Sequence, residues 1–288
     1  MILTLLTFGP RLENHYQAAF AILSYLKDPL IERVVVVTDY PAFYAFFADR
    51  VDTLVIDEQT LTQWQGEFQF FWRVKIKALE AVYARYPLSD LLYVDSDTFL
   101  AGNLTALSSH FAQGGCVMHL AECRLADNTD KTLRKMHRTL HGKTIAGVEI
   151  GDDSLMWNAG VIGLCAQKAK SIIALSLQLC DEICATNCPR RLVEQFSFSL
   201  ALAQLSLLRA CDDVVGHYWG NKIEWNQAIM QFWVATKLQN FSVQDCVVAV
   251  SEWDWSAIAL HKKQRNTNAK LKRLIDKWFQ PKNIRYFR

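Results

Sequence analysis

Short apolar runs alternate with longer amphipathic stretches through the first third of the chain. Four runs have the length and composition of buried strands: Ile2–Phe8, Arg33–Thr38, Thr53–Ile56 and Leu91–Val94. Helical periodicity occupies the stretches between them, at Asn14–Leu26, Pro41–Asp49 and Phe70–Arg85. Strands that alternate with helices predict an α/β fold, in which helices flank a mostly parallel, twisted sheet.

The pattern continues after a polar interruption. We interpret residues 121–151 as an excursion from the sheet, such as a flap, because they are polar and include a stretch rich in His, Lys and Arg. The elements predicted beyond it are a strand at Val161–Leu164, helices at Ala169–Ala185 and Leu192–Leu205, and one or two short strands within Leu207–Val215. We therefore expect one Rossmann-like domain over residues 1–260, followed by a tail over 261–288.

The tail differs from the rest of the chain in charge. The chain carries 31 Lys and Arg against 29 Asp and Glu, and ten of the basic residues, with one acid, lie in residues 261–288. Leu271, Leu274, Ile275 and Trp278 stand at helical spacing among them. Two interpretations stay open. The tail is either an amphipathic helix on an anionic membrane surface, or a terminal helix packed on the body through the same apolar stripe.

Composition restricts the class of protein. Of the 288 residues, 51% are hydrophobic, which is enough for a large core and excludes a disordered chain. The net charge of +2 argues against a general nucleic-acid binder. No apolar run reaches the roughly 18–20 residues of a spanning helix, and the apolar start favours a strand over a signal peptide. Eight cysteines without disulfide-like spacing suit a reducing compartment, so we expect a cytoplasmic protein.

The strongest chemical signal follows the Leu91–Val94 run. Asp95 and Asp97 stand at i and i+2 beyond the end of a buried strand, so their carboxylates point to the same side. Open α/β sheets bind ligands at the carboxyl ends of their strands. Two close carboxylates repel each other unless a cation lies between them, and oxygen ligands favour Mg²⁺ or Mn²⁺, ions that also hold phosphates. The alternative is a solvated aspartate turn.

Two weaker signals come later in the chain. In the segment Trp157–Val161, small residues precede a strand, and Asn158 offers both a hydrogen-bond donor and an acceptor. In the second segment, His217 can ligate a metal, Gly220 permits close backbone approach and Lys222 can meet a phosphate. An ordinary turn and a structural histidine are the alternatives.

A basic helix face precedes the aspartate pair. Arg73 and Lys77 are i,i+4 neighbours on one face of the predicted helix, where they could meet a phosphate, whereas Lys75 is expected to point elsewhere. The alternative is a solvated basic face.

Together these motifs resemble those of the family 8 glycosyltransferases, the glycogenin and lipopolysaccharide galactosyltransferase group with the GT-A fold. Leu92–Thr98 resembles the family's metal-binding strand end, and Asn14–Tyr16 resembles its nucleotide-contacting turn. Trp157–Val161 resembles the family's Asn-Ala-Gly-Val segment, and Glu194 with Gln195 resembles its Asp-Gln pair. The segment from His217 to Gly220 resembles the family's late His-x-x-Gly motif. The chain departs from the family at three places. Phe196 replaces a usual acid, Lys222 follows the histidine one position early, and Gly9–Glu13 lengthens the first loop.

The resemblance implies metal-dependent, retaining transfer of a sugar from a nucleotide diphosphate donor, a UDP-sugar, to a glycan, lipopolysaccharide or lipid-linked acceptor. With a membrane-bound tail, the protein would be peripheral on the inner face of a membrane. The resemblance assigns Asp95, Asp97 and His217 to Mn²⁺ or Mg²⁺. The residues that it places at the donor are Thr7, Asn14, Tyr16, Arg73, Lys77, Ser96, Gly220 and Lys222. The catalytic candidates are Asp95, Asp97, Asn158, Glu194 and Gln195, with Asp152 and Asp153 as further carboxylates that could act as base or nucleophile.

Two other functions stay open. Asp95–Thr98 partly fits the motif of haloacid-dehalogenase phosphatases, with Asp95 as nucleophile, although the threonine comes one residue early and three predicted strands precede the motif. The aromatic content of 12% also fits a sugar-binding module without catalysis. We interpret Cys180, Cys184 and Cys188 as a packed helix face, and the stretch His137–His141 as a polar flap rather than a metal site.

Overall fold

The structure, a computed structural model, describes residues 1–127, 129–262 and 266–279. The strands are β1 Ile2–Thr7, β2 Arg33–Thr38, β3 Val51–Val55, β4 Leu91–Val94, β5 Thr98–Leu100, β6 Gly115–Met118, β7 Ala121–Arg124, β8 Thr144–Ile145, β9 Val148–Glu149, β10 Leu155–Trp157, β11 Val161–Leu164, β12 Leu207–Ala210 and β13 Val215–His217. The α-helices are α1 Leu12–Tyr25, α2 Glu58–Trp64, α3 Arg73–Arg85, α4 Thr105–Ala112, α5 Lys131–Leu140, α6 Ala166–Cys184, α7 Val193–Leu205, α8 Lys222–Leu238, α9 Val243–Ser251 and α10 Asn266–Trp278.

A seven-stranded sheet forms the centre of the molecule. Its strand order is β12-β6-β11-β4-β1-β2-β3, and only β11 among these strands runs antiparallel to its neighbours. Val34–Val37 of β2 and Leu91–Val94 of β4 are buried, as expected of strands covered by helices on both faces. The predicted α/β class, with helices around a mostly parallel sheet, is confirmed.

Several predicted element boundaries were displaced. The helix predicted from Phe70 begins at Arg73, and the left-handed backbone of Gln69 (φ 47°) lies in the turn that precedes it. The segment Pro41–Arg50 is a 3₁₀ helix with a left-handed residue at Ala48. Leu207–Val215 divides between β12 at the sheet edge and β13, which pairs with β5 instead.

Residues 121–127 and 129–151 contain several regular elements. Strand β7 pairs with β10, helix α5 follows, and β8 and β9 form a small antiparallel pair. Leu133, Met136 and Leu140 are buried along one face of α5, which fixes that helix on the body. Cys180 and Cys184 are buried on α6, as the packed-face interpretation predicted, but the helix ends before Cys188, which is also buried.

The tail contains helix α10, and residues 263–265 and 280–288 lie outside the described part. The apolar side chains of α10 are exposed by about half or more: 55% for Leu271, 53% for Leu274, 49% for Ile275 and 74% for Trp278. In the described structure this stripe is therefore not packed on the body, contrary to one of the two interpretations. Among the described residues, no helix combines the length and hydrophobicity needed to span a bilayer.

Candidate active site

The Asp95–Asp97 turn lies at the carboxyl end of β4, in the middle of the sheet. The backbone amide of Asp95 donates to the carbonyl of Gly160 (2.8 Å), and the hydroxyl of Thr98 donates to the carbonyl of Asp95 (2.8 Å). The turn is thus attached to β11 on one side and closed on itself by Thr98. Thr7 ends the neighbouring parallel strand β1, so the two strand ends open at the same edge.

The short strand β13 carries His217 to this turn. It pairs antiparallel with β5 so that His217 lies opposite Thr98. Its Nε2 atom is 3.5 Å from Oδ2 of Asp97, and one ligand atom each from Asp95, Asp97 and His217 lie within 4.8 Å of one another. These three side chains, which we call the strand-end cluster, come from positions 122 residues apart in the chain.

The hydrogen bonds of Asn158 determine which histidine nitrogen faces the cluster. The amide nitrogen of Asn158 donates to Glu122 (2.8 Å), and its Oδ1 accepts from the backbone amide of Gly160 (2.9 Å). The same Oδ1 lies 3.1 Å from Nδ1 of His217, so Nδ1 must carry the proton and donate. In the neutral imidazole, Nε2 then presents its lone pair toward Asp97, which is the tautomer that a metal-ligating histidine requires.

Gly160 makes room for the histidine ring. A Cβ at this position would lie 2.1 Å from Cε1 of His217. No other residue type therefore permits this position of the ring, which explains the small residue noted before the strand at Val161.

Asp97 is buried, and its negative charge is compensated by the neighbouring Lys222. Its side chain is 5% exposed, and Oδ2 lies 2.8 Å from Nζ of Lys222 without forming a hydrogen bond to it. Burial by itself would raise the pKa of Asp97, but the His217 ring, in the protonated form that can donate to this carboxylate when no cation is bound, and the Lys222 ammonium outweigh burial and hold that pKa well below its usual range. The carboxylate is therefore ionised, with one oxygen that lacks a hydrogen-bond partner.

Lys75 is a buried cation of the site: it points away from Arg73 and Lys77, as expected, but it is Lys75 and not that pair that meets the aspartates. Its Nζ lies 3.2 Å from Asp95, 3.2 Å from Glu194 and 3.1 Å from the carbonyl of Ala159. Burial would lower the pKa of Lys75, but the two carboxylates outweigh it and raise that pKa well above its usual value. Burial raises the pKa of Glu194, against the opposing effect of Lys75. Tyr93 adds a hydrogen bond to Asp95 (2.7 Å).

Arg73 and Lys77 do not join this group, although the sequence suggested that they meet the donor phosphates. The guanidinium of Arg73 binds both carboxylate oxygens of Asp181 (2.7 and 2.9 Å) and the carbonyl of Trp64 (2.9 Å). Lys77 pairs with Glu80 on its own helix. Arg73 therefore fastens α3 to α6, and neither side chain lines the cavities beside the aspartates.

Two cavities meet at the aspartate pair. One, of about 530 Å³, lies against the β1 end; the other, of about 560 Å³, lies against the start of α7. Both are lined by Trp72, Lys75, Asp95, Asp97 and Lys222. A molecule that occupies both cavities would thus have its middle beside the two carboxylates.

The first cavity contains part of the predicted donor set. Thr7, Asn14 and Ser96 line it, and the exposed rings of Phe71 and Trp72 stand at its wall. Tyr16 does not line it.

Gly220 lies outside the first cavity as well. A Cβ there would lie 2.0 Å from the ring of His261, so Gly220 permits the approach of that residue rather than of a ligand.

The second cavity contains a carboxylate that the sequence did not single out. Glu122 accepts hydrogen bonds from Asn158 (2.8 Å) and Gln195 (2.9 Å), and all three residues line this cavity with Glu194. Glu122 comes from β7, in the segment interpreted as a flap, and no local motif surrounds it. Only the pairing of β7 with β10 places it next to Asn158.

Asp152 and Asp153 lie elsewhere. They line a third cavity of about 380 Å³, together with Trp157 and residues of α7, and neither lines the cavities beside the strand-end cluster.

The strand-end cluster fits a divalent cation. Asp97 Oδ2 is buried without a hydrogen-bond partner, and the His217 tautomer directs a lone pair toward it. Two carboxylates with one imidazole form a ligand set that suits Mn²⁺ or Mg²⁺, with coordination positions left for a substrate's oxygens.

Comparison with known proteins gives structural likeness at low identity. A galactosyltransferase, LgtC, solved with donor and acceptor sugar analogues, is 13% identical; 72% of this chain and 73% of that chain are covered, with a TM-score of 0.48. Mouse xyloside xylosyltransferase 1 is also 13% identical, with 73% and 84% covered and a TM-score of 0.46. Neither a protein-family model nor a curated protein sequence matches the chain.

Proposed function

We propose that this protein is a metal-dependent glycosyltransferase that takes a sugar from a nucleoside diphosphate donor. The observation that carries the proposal is the convergence of Asp95, Asp97 and His217 at the point where two cavities meet. A nucleotide sugar has two unlike ends joined by a diphosphate, so it matches two cavities joined at a cation site.

The residues around the cluster have separate roles in this proposal. Asp95, Asp97 and His217 would hold the cation, and the chemistry it supplies is charge neutralisation on the departing diphosphate, worth several kcal/mol. Lys222, half exposed and beside Asp97, can turn to a phosphate oxygen. Lys75 is enclosed between Asp95 and Glu194, so it compensates their charge and holds the two carboxylates in place.

The two cavities suggest the orientation of the donor. The first offers aromatic surface from Phe71 and Trp72, which suits a nucleobase. The second is lined by Asn158, Gln195, Glu122 and Glu194, whose amides and carboxylates suit sugar hydroxyls. We therefore place the nucleoside in the first cavity and the sugar in the second, which Gln195 and Glu194 line.

The finer features of the proposal come from the sequence resemblance alone. They are a UDP-linked donor, retention of configuration, and an acceptor that is a glycan, a lipopolysaccharide or a lipid-linked sugar. A tail that lies on an anionic membrane through the exposed stripe of α10 would suit such an acceptor. Flotation with anionic and neutral liposomes, comparing the full chain with a chain ending at 262, tests the tail; equal flotation would remove it from the proposal.

A donor panel tests the function. With Mn²⁺ present, one of a set of UDP- and other nucleotide sugars should raise the melting temperature and be hydrolysed slowly, with nucleoside diphosphate released. Chelation should abolish both effects, and readdition of Mn²⁺ should restore them. Release of inorganic phosphate from an aryl phosphate, with no response to any nucleotide sugar, would instead favour a phosphatase.

A further inference from the structure

A second group of metal-ligating side chains lies outside the proposed active site. Nε2 of His137 is 3.3 Å from Oδ1 of Asp152, and Nε2 of His141 is 3.0 Å from the same oxygen. The ligand atoms of all three residues lie within 4.8 Å of one another. We call this group the α5 cluster. None of its members lines the cavities beside Asp95 and Asp97.

From this arrangement we propose that the α5 cluster binds a zinc ion. Zinc accepts imidazole nitrogen and carboxylate oxygen at about 2.0–2.2 Å in tetrahedral geometry, so two of its ligand atoms stand roughly 3.3 Å apart. The two distances to Asp152 are already close to that separation. Two imidazoles with one carboxylate favour zinc over Mg²⁺ or Mn²⁺, which prefer oxygen ligands.

The helix end holds the two histidines in the spacing that one ion requires. His137 lies in the last turn of α5, and the backbone amide of His141 donates to the carbonyl of His137 (2.8 Å). Residues four apart on a helix leave from the same face, which is how pairs of helical histidines share a zinc ion. The two ring centroids are 4.8 Å apart.

The third ligand is supplied by a loop that is fastened to the same helix end. Gly142 donates to the carbonyl of Ile150 (2.8 Å), and Ile150 donates to the carbonyl of Lys143 (2.9 Å). The turn that carries Asp152 is closed by two hydrogen bonds between Gly151 and Ser154, both 3.1 Å long. The backbone therefore presents Asp152 to the helix without the ion, which lowers the ordering cost of binding.

The site is open to solvent. The side chains of His137, His141 and Asp152 are 26%, 45% and 73% exposed, so an ion can enter and a water molecule can complete a tetrahedron. An ion there would join α5 to the loop that lines the 380 Å³ cavity. The ion would make that cavity wall more rigid. The proposed zinc site does not depend on the proposed transferase activity.

Zinc binding to the full chain tests the proposal. Equilibrium dialysis should find a zinc ion that the double variant His137→Ala/His141→Ala binds at least tenfold more weakly. Co²⁺ in place of zinc should give the absorption bands of a tetrahedral ion, and these should disappear in the same variant. Asp152→Asn should also weaken binding. Arg134→Ala, an exposed change on the same helix, is the matched control and should leave the affinity unchanged.

A second variant separates the two clusters. Asp97→Asn should leave the Co²⁺ bands intact, because it alters only the strand-end cluster. The proposal is overturned if the wild-type chain binds no zinc. It is equally overturned if the double variant, with an unchanged circular dichroism spectrum, binds zinc as tightly as the wild type.

Discussion

The strand-end cluster and the α5 cluster each offer three ligands, but they are built in opposite ways. Asp97 and His217 are buried, and both have partners that fix them: Lys222 beside the first and Asn158 bonded to the second. The α5 cluster is exposed, and all its members lie within 16 residues of one another. Burial obliges every charge to have a compensating neighbour, whereas an exposed cluster needs only a suitable local backbone.

This difference predicts how sensitive each cluster is to change. Substitutions in the buried strand-end cluster should have large effects, because the loss of one side chain leaves another charge buried without a partner. Substitutions in the exposed α5 cluster should weaken metal binding and leave the stability of the fold almost unchanged. The predictions below follow this contrast, from the largest expected effect to the smallest.

The largest effect should come from Asp97→Asn. The change removes a charged ligand of the cation that we propose opposes the leaving-group charge, so donor turnover should fall by about a thousandfold, equivalent to about 4 kcal/mol. Turnover with the responsive nucleotide sugar and Mn²⁺ measures it. Asp49→Asn, an exposed change, is the control. Retained turnover in a folded Asp97→Asn protein would contradict the metal's role.

Lys75→Met should lower the free energy of unfolding by about 3–5 kcal/mol, because Asp95 and Glu194 would lose the buried cation between them. Lys77→Met, two positions away, removes only a surface pair and should cost about 0.5 kcal/mol or less. Urea unfolding compares the two. Similar costs for both lysines would mean that Lys75 is not the enclosed cation described above. Adding Glu194→Gln to Lys75→Met should restore part of the loss.

Gly160→Ala should displace the His217 ring, since the new Cβ would lie 2.1 Å from it. Overpacking of this kind costs about 1–3 kcal/mol. Thermal unfolding should show the loss, and Mn²⁺ titration should show weaker binding. Gly151→Ala is the matched control, because a Cβ there meets nothing within 4 Å. Equal melting temperatures for the two variants would show that the ring has room to move.

The smallest effect on the site should come from Arg73→Gln. The change breaks the contact with Asp181 and should cost about 1 kcal/mol of stability. Donor affinity should change by less than about twofold, because the guanidinium faces α6. Calorimetric titration with the responsive donor measures this. A large loss of affinity would restore the sequence-based assignment of Arg73 to the phosphates.

Local patterns predicted the parts of the fold and site that depend on neighbours in sequence. Strands β2, β4 and β11 match the predicted ranges residue for residue, because strands covered on both faces of the sheet consist of nearly unbroken apolar runs, whether parallel or antiparallel to their neighbours. The sequence also identified Asp95 and Asp97 as candidate metal ligands, because they directly follow such an apolar run. His217 was only a weak candidate in the sequence, because its surroundings also fit a structural histidine, and the family resemblance assigned it to the metal.

Lys75 shows why the rest could not be predicted. Helical periodicity gives which residues share a face, but it assigns lysine to solvent, because an unpaired ammonium is costly to bury. The carboxylate that makes burial of Lys75 favourable beside Asp95 is Glu194, more than a hundred residues later. Glu122 was missed for the same reason, because its partners arrive only through the pairing of β7 with β10.

The amino-acid sequence by itself therefore determined the alternation of strands and helices, the apolar run that ends in two aspartates, and the contrast in charge between body and tail. The tertiary structure decided which charges meet: His217 with Asp97, Lys75 with Asp95 and Glu194, and Arg73 with Asp181 rather than with the site. The physical reason is that hydrophobic periodicity is a property of short segments. The compensation of a buried charge requires a partner that only the folded chain brings within a few ångströms.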